Sequence, residues 1–182
     1  MNNFLSGGYR AVFTPTPQRV LISYYLDSRD SGDTPVLYGD IQSQTSLINS
    51  SVYQCLLTTP ESEDVLEIRS HTNFWGKYWS FYGKNHKLIG KVIAKGKGNS
   101  ILGEVQCEQW GKMGRIQYSN YDRRCVLTTD DRTFASIDFM NLNEYHFTLD
   151  GSLKHKNCPN LLFFGLSAVI YAIQNSGAIP FS

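Results

Sequence analysis

"NLLFFGLSAVIYAIQNSG", residues 160–177, is apolar on nearly every side of the helix it would form. Leu161 through Ile173 carries only Ser167 and Tyr171 as polar side chains. A surface helix shows an apolar stripe and a polar back, whereas a helix apolar all round belongs in a protein core or in a bilayer. A membrane span needs about 20 apolar residues, and runs of about 10 to 14 more often mark a buried helix. Gln174 and Asn175 end this run without a basic flank, although Lys154, His155 and Lys156 precede it and make a tail anchor the competing expectation. Pro159 suits the first helical position and Gly177 a helix stop, so the expected helix covers 159–176 and is roughly 27 Å long. We read it as a core helix.

The rest of the chain must then provide the walls of that core. From "AVFT" at 11–14 to "EYHFTLD" at 144–150, about twelve segments rich in Val, Ile, Tyr, Phe and Thr alternate with polar or glycine breaks. They recur mostly every eight to fourteen residues, the rhythm of an antiparallel sandwich or barrel. In "GRIQYSN" (114–120), Ile116 and Tyr118 oppose Arg115, Gln117 and Ser119, so one face is dry and the other wet. "DSRDSGDTP" (27–35), "TPESED" (59–64) and "GKNHK" (83–87) read as loops, and none is long enough for an interdomain linker. A barrel of twelve strands leaves an interior too wide for facing side chains to fill, and the apolar helix is a suitable filler. The expected fold is mainly β: a closed antiparallel barrel of about twelve strands enclosing a hydrophobic C-terminal helix, one domain over 1–182.

Bulk composition narrows the function. The 182 residues are 41% hydrophobic and 18% charged, as in folded globular domains. A net charge of +1 gives no global electrostatic case for nucleic acid as a partner. "MNNFLSGGYR" lacks the basic and apolar regions of a secretory signal. We therefore expect a cytoplasmic monomer, peripheral to a membrane if associated with one, without a transmembrane span. Cys55, Cys107, Cys125 and Cys158 are expected as reduced thiols. No metal or other cofactor is expected, since His155 and Cys158 form a lone H-x-x-C without a second ligand pair. No hydrolase or metalloprotease motif joins His71, His86, His146 and His155; Cys107 and His146 are a pair only if the fold brings them together. "KGKGNS" (95–100) lacks phosphate-loop spacing and precedes a strand. The expectation is a protein without enzymatic turnover.

Residues 52–96, "VYQCLLTTPESEDVLEIRSHTNFWGKYWSFYGKNHKLIGKVIAKG", carry a more specific pattern. Leu66, Ile68 and Arg69 close one strand; Trp79, Phe81 and Tyr82 form an aromatic strand; Ile89, Gly90 and Val92 follow in "IGKV". This order, continued by "ILGEVQCEQ" and the final helix, resembles the tubby-like barrel superfamily, closest in pattern to LURP-one-related and phospholipid scramblase-like proteins. The resemblance covers nearly the whole chain in layout, with diffuse residue matches. It implies a binding or scaffold role, with tubby-like recognition of phosphoinositide headgroups by strand lysines and arginines. Scrambling is not implied, because a Pro-rich extension, a cysteine cluster and an acidic calcium segment are all missing; Asp130-Asp131 is only a loop pair.

Candidate binding residues follow from the basic side chains. Lys87, Lys91 and Lys95, flanked by Lys84 and Lys97, would share one strand face and converge on a phosphorylated headgroup. Ile89 and Ile93 would share it too, and strand lysines also serve simply as solvation or edge protection. Arg123 and Arg124, with Lys112 and Arg115 a strand away, form a second basic group. Trp75, Trp79 and Phe81 are expected to pack across strands rather than form a cage. The leading expectation is recognition of an anionic phospholipid headgroup, or of a protein partner at the membrane surface. The alternative is a carrier of a small hydrophobic ligand, which requires the final helix to lie outside the barrel or to be displaced.

Overall fold

A computed structural model of the chain describes residues 8–27, 33–45, 51–61, 63–73, 76–95, 100–107, 111–119, 123–129, 132–149 and 161–174. Within these the protein is mainly β, with a single C-terminal helix. The strands are β1 (Gly8–Pro15), β2 (Val20–Leu26), β3 (Leu37–Thr45), β4 (Ser51–Thr58), β5 (Asp64–Asn73) and β6 (Gly76–Tyr82). They continue as β7 (Leu88–Lys95), β8 (Ser100–Cys107), β9 (Gly111–Ser119), β10 (Arg124–Thr129), β11 (Arg132–Asn141) and β12 (Glu144–Leu149). A short 3-10 turn, Lys84–His86, links β6 to β7.

Every strand pairs antiparallel with its neighbours in sequence. The first strand also meets the last, with Gly8 opposite Thr148 and Val12 opposite Glu144. Side chains alternate as the sequence pattern requires. On β1, Tyr9, Ala11 and Phe13 are buried while the residues between them are half-buried. On β2 the buried set is Val20, Ile22 and Tyr24. Trp79 and Phe81 are both core residues, and Trp79 stacks on Tyr53 at 5.9 Å; Trp75 lies outside the described residues.

The helix α1 (Leu161–Gln174) is about 21 Å long. Residues 164–172 are buried without a break, and two and a half consecutive turns cannot all be buried unless every face is covered. The covering side chains come from opposite parts of the strand order. Phe164 packs edge-on against Tyr9, Tyr24 and Phe147, and Tyr171 stacks on Phe13 at 4.2 Å with the rings 4° from parallel. On the other side Gly165 faces Phe81, Leu66 and Ile68. The helix runs antiparallel to β12, for Phe164 meets Phe147 whereas Gln174 accepts a hydrogen bond from the Tyr145 hydroxyl near that strand's start. The few polar groups of this core serve one another. Ser167 and Tyr24 each donate to the Phe164 carbonyl, at 2.7 and 3.0 Å, and their hydroxyl oxygens lie 3.2 Å apart.

Pro159 and Gly177, the expected helix bounds, lie outside the described residues. Among those residues no helix is long and apolar enough to cross a membrane. The helix is buried among β1, β2, β5, β6 and β12.

Candidate functional site

The outer face of β4–β7 holds the densest polar constellation among the described residues. Its centre is Glu67, only 8% exposed although it faces away from the core. One carboxylate oxygen accepts from Arg69 Nε at 2.6 Å and from Gln54 Nε2 at 2.7 Å. The other lies 3.1 Å from His86 Nδ1. Burial by itself would push the Glu67 carboxyl up, but the Arg69 hydrogen bond and charge, with Gln54 and His86, hold it below its ordinary range. His86 reaches Glu67 from the β6–β7 turn, where Asn85 and His86 adopt left-handed backbone angles, φ 63° and 54°. The Arg69 guanidinium also lies over the Tyr82 ring, 5.3 Å from its centroid.

Two residues along β5 from Arg69 sits His71, on the same face by strand alternation. Its ring stacks on Tyr78 at 4.7 Å, and its Nε2 atom is buried without a hydrogen-bond partner among the described residues. Burial first, then the positive charges of Arg69 and Lys91, lower its pKa below the usual histidine value, so the imidazole is neutral at neutral pH. Arg69, Ser80 and Lys91 occupy directly opposed positions on β5, β6 and β7. With strands about 4.8 Å apart, Arg69 and Lys91 flank the intervening strand at about 10 Å, within reach of one phosphate from either side. Lys91 is half-buried and Lys87 exposed, and among the described residues neither forms an ion pair.

The expected convergence of Lys87, Lys91 and Lys95 along one strand needs correction. Lys87 precedes β7, and its carbonyl accepts from Gly83 N in the turn. Tyr82 pairs with Leu88 and Phe81 with Gly90, so one extra residue, Ile89, is inserted between Lys87 and Lys91. Such a bulge breaks the two-residue alternation on which the shared face depended. Lys95, Lys112 and Arg115 are placed by backbone register alone. Lys95 ends β7 opposite Leu102; Lys112 pairs with Gln106, itself opposite Lys91. Lys112 thus belongs to the row of Lys91 and not to that of the arginines.

The second basic group is dispersed. Arg124 stands opposite Ser119, but Arg115 stands opposite Thr128, roughly 13 Å further along the strand. Arg124 is paired with Asp138 at 3.2 Å. Arg123 lies just outside β10 in a left-handed conformation (φ 47°) and is exposed, so both arginines face solvent despite being adjacent. The lysine-rich stretches of the sequence do not point to Arg69, His71, Glu67 and Gln54 as a site. The available signal was "EIRSH", in which three ionisable residues recur every second position.

Little else resembles a reaction centre. Cys55 and Cys125 are free buried thiols; burial pushes both up, Cys125 to about 12, so both stay protonated at neutral pH. Cys107 and His146 lie on β8 and β12, four strands apart in the pairing order. His146 sits between Asp27 and Glu144, at 3.5 and 3.1 Å. Among the described residues no three His, Cys, Asp or Glu side chains are grouped to hold a metal. No family model, curated protein or solved structure matches the chain.

Proposed function

We propose that the chain is a closed, tubby-like barrel plugged by its own C-terminal helix, binding an anionic phospholipid headgroup on the outer face of β5–β7 without chemical turnover. Closure is supported by the pairing of β1 with both β2 and β12. The binding reading rests on one arrangement: Arg69 and Lys91 flank Ser80 on adjacent strands, beside a neutral His71 whose buried Nε2 has no hydrogen-bond partner among the described residues. A phosphate oxygen would bring acceptors to a face that otherwise concentrates donors, and Arg69 offers the planar fork suited to it. Glu67 takes only Nε of that fork and so orients it.

Vesicle pelleting tests the reading. With phosphatidylcholine vesicles containing a phosphoinositide, the Lys91→Glu variant should bind at least about tenfold more weakly than the native chain, and the difference should shrink at high salt. Headgroup binding should also raise the His71 pKa, because a nearby anion favours the imidazolium. Unchanged pelleting of the variant, together with an unmoved His71 titration by NMR, would remove this face from the function.

A further inference from the structure

We infer that the β11–β12 hairpin is a membrane-entering tip, with Met140 and Leu142 inserting among the lipids of an anionic bilayer. Met140 is 56% exposed and Leu142 78%, well above Leu21, Leu26 and Tyr38, the other exposed large apolar side chains among the described residues, which lie at 38–40%. Their exposure is built into the backbone. Phe139 pairs with Tyr145 and Asn141 with Glu144, which leaves Met140 as the extra residue of a bulge. Bulges re-aim side chains; here Phe139 remains in the core while Met140 projects. Leu142 then occupies the turn itself, where polar residues or glycine are the usual choice.

The tip is also held rigidly. Asn143 N donates to the Asn141 side-chain oxygen at 2.8 Å, and the Asn143 carbonyl accepts from Phe13 N at 2.8 Å, tying the turn to β1. At the hairpin's base, Phe139 N donates to the Arg123 carbonyl at 2.9 Å, which fixes an exposed cation beside the apolar pair. Antiparallel order puts the start of β2 at this same end of the sheet, preceded by Arg19, which is paired with Asp40 at 2.9 Å; Lys95, at the end of β7, is at this end too but five strands from β12 in the pairing order. Two apolar side chains on a convex turn are far too little surface for a stable protein interface, which needs about 800 Å² from each partner. A bilayer accepts such a tip readily, with the apolar groups at the acyl boundary and the exposed Arg123 beside them among anionic headgroups.

This rests on the headgroup reading only in requiring a membrane, and a three-way comparison separates the two. The native chain, a Met140→Ser, Leu142→Ser variant and the Lys91→Glu variant are pelleted with vesicles of mixed phosphatidylcholine and phosphatidylserine, with and without phosphoinositide. The tip variant should melt like the native chain, since both side chains already lie in solvent. It should partition about tenfold or more weakly onto both vesicle types. Loss in the tip variant with retention in the lysine variant supports the tip and sinks the headgroup face; the reverse sinks the tip. A native chain that pellets with neither vesicle overturns both. A native dimer that the tip substitutions convert to monomer, seen by sedimentation, makes the hairpin a protein contact and overturns the inference.

Discussion

Glu67 illustrates how much can depend on one side chain. It is a carboxylate on the outward face of a strand, yet Gln54, Arg69 and His86 close around it from three elements. Because these partners lower its pKa in the folded state, its contribution to stability is present above the ordinary carboxyl value of 4.5 and is lost as pH falls through the folded value. Glu67→Gln should therefore cost on the order of 1 kcal/mol at neutral pH. The native and variant curves should converge in acid when denaturant midpoints are measured as a function of pH. Parallel curves would deny the carboxylate any charge-dependent role. The alternation of Glu67, Arg69 and His71 is visible in the sequence, but His86 comes from a turn nineteen positions away, and only the strand register shows that it returns to Glu67.

At the scale of the element, α1 behaves as its composition requires. Continuous burial over 164–172 explains why the run has no polar face, and Ser167 is tolerated because Tyr24 and the Phe164 carbonyl absorb its hydrogen-bonding capacity. Gly165 is the place where helix and sheet come closest. A Cβ there would lie 2.7 Å from Phe81, 2.8 Å from Leu66 and 2.9 Å from Ile68. Gly165→Ala gains about 1 kcal/mol of helix propensity, but overpacking a filled core costs about 1–3 kcal/mol. The net expectation is destabilisation of about 1 kcal/mol, read from urea unfolding. A stabilised alanine variant would mean that the helix is not seated against β5 and β6.

For the whole molecule, the decisive feature is the seam between β1 and β12. An open sheet leaves two edges whose outward amides exchange readily, whereas a joined one has none. Amides of 8–12 and 144–148 that donate across this seam should exchange within about tenfold of those in β4 and β5, measured by hydrogen exchange under native conditions. Exchange at the seam more than about a hundredfold faster would mean that the sheet stays open. The seam also bears on the membrane tip, since Phe13 N, which anchors the hairpin turn, lies on β1 just past the paired residues.

Period-two patterning was enough to place the strands, and an apolar run without a polar face was enough to place a buried helix among them. Both are local properties, written in successive residues and imposed by how strands and helices present side chains to water. The binding face was legible only in part. Lysines spaced four apart pointed to β7, but one inserted residue at Ile89 undid their alignment, and a bulge leaves no mark in composition. Which residues stand beside Lys91 is decided across the sheet, by pairing between strands distant in the chain, as is the seating of an exposed leucine at a turn locked to β1. Such juxtapositions arise from register, which every strand sets jointly with its neighbours and none encodes alone.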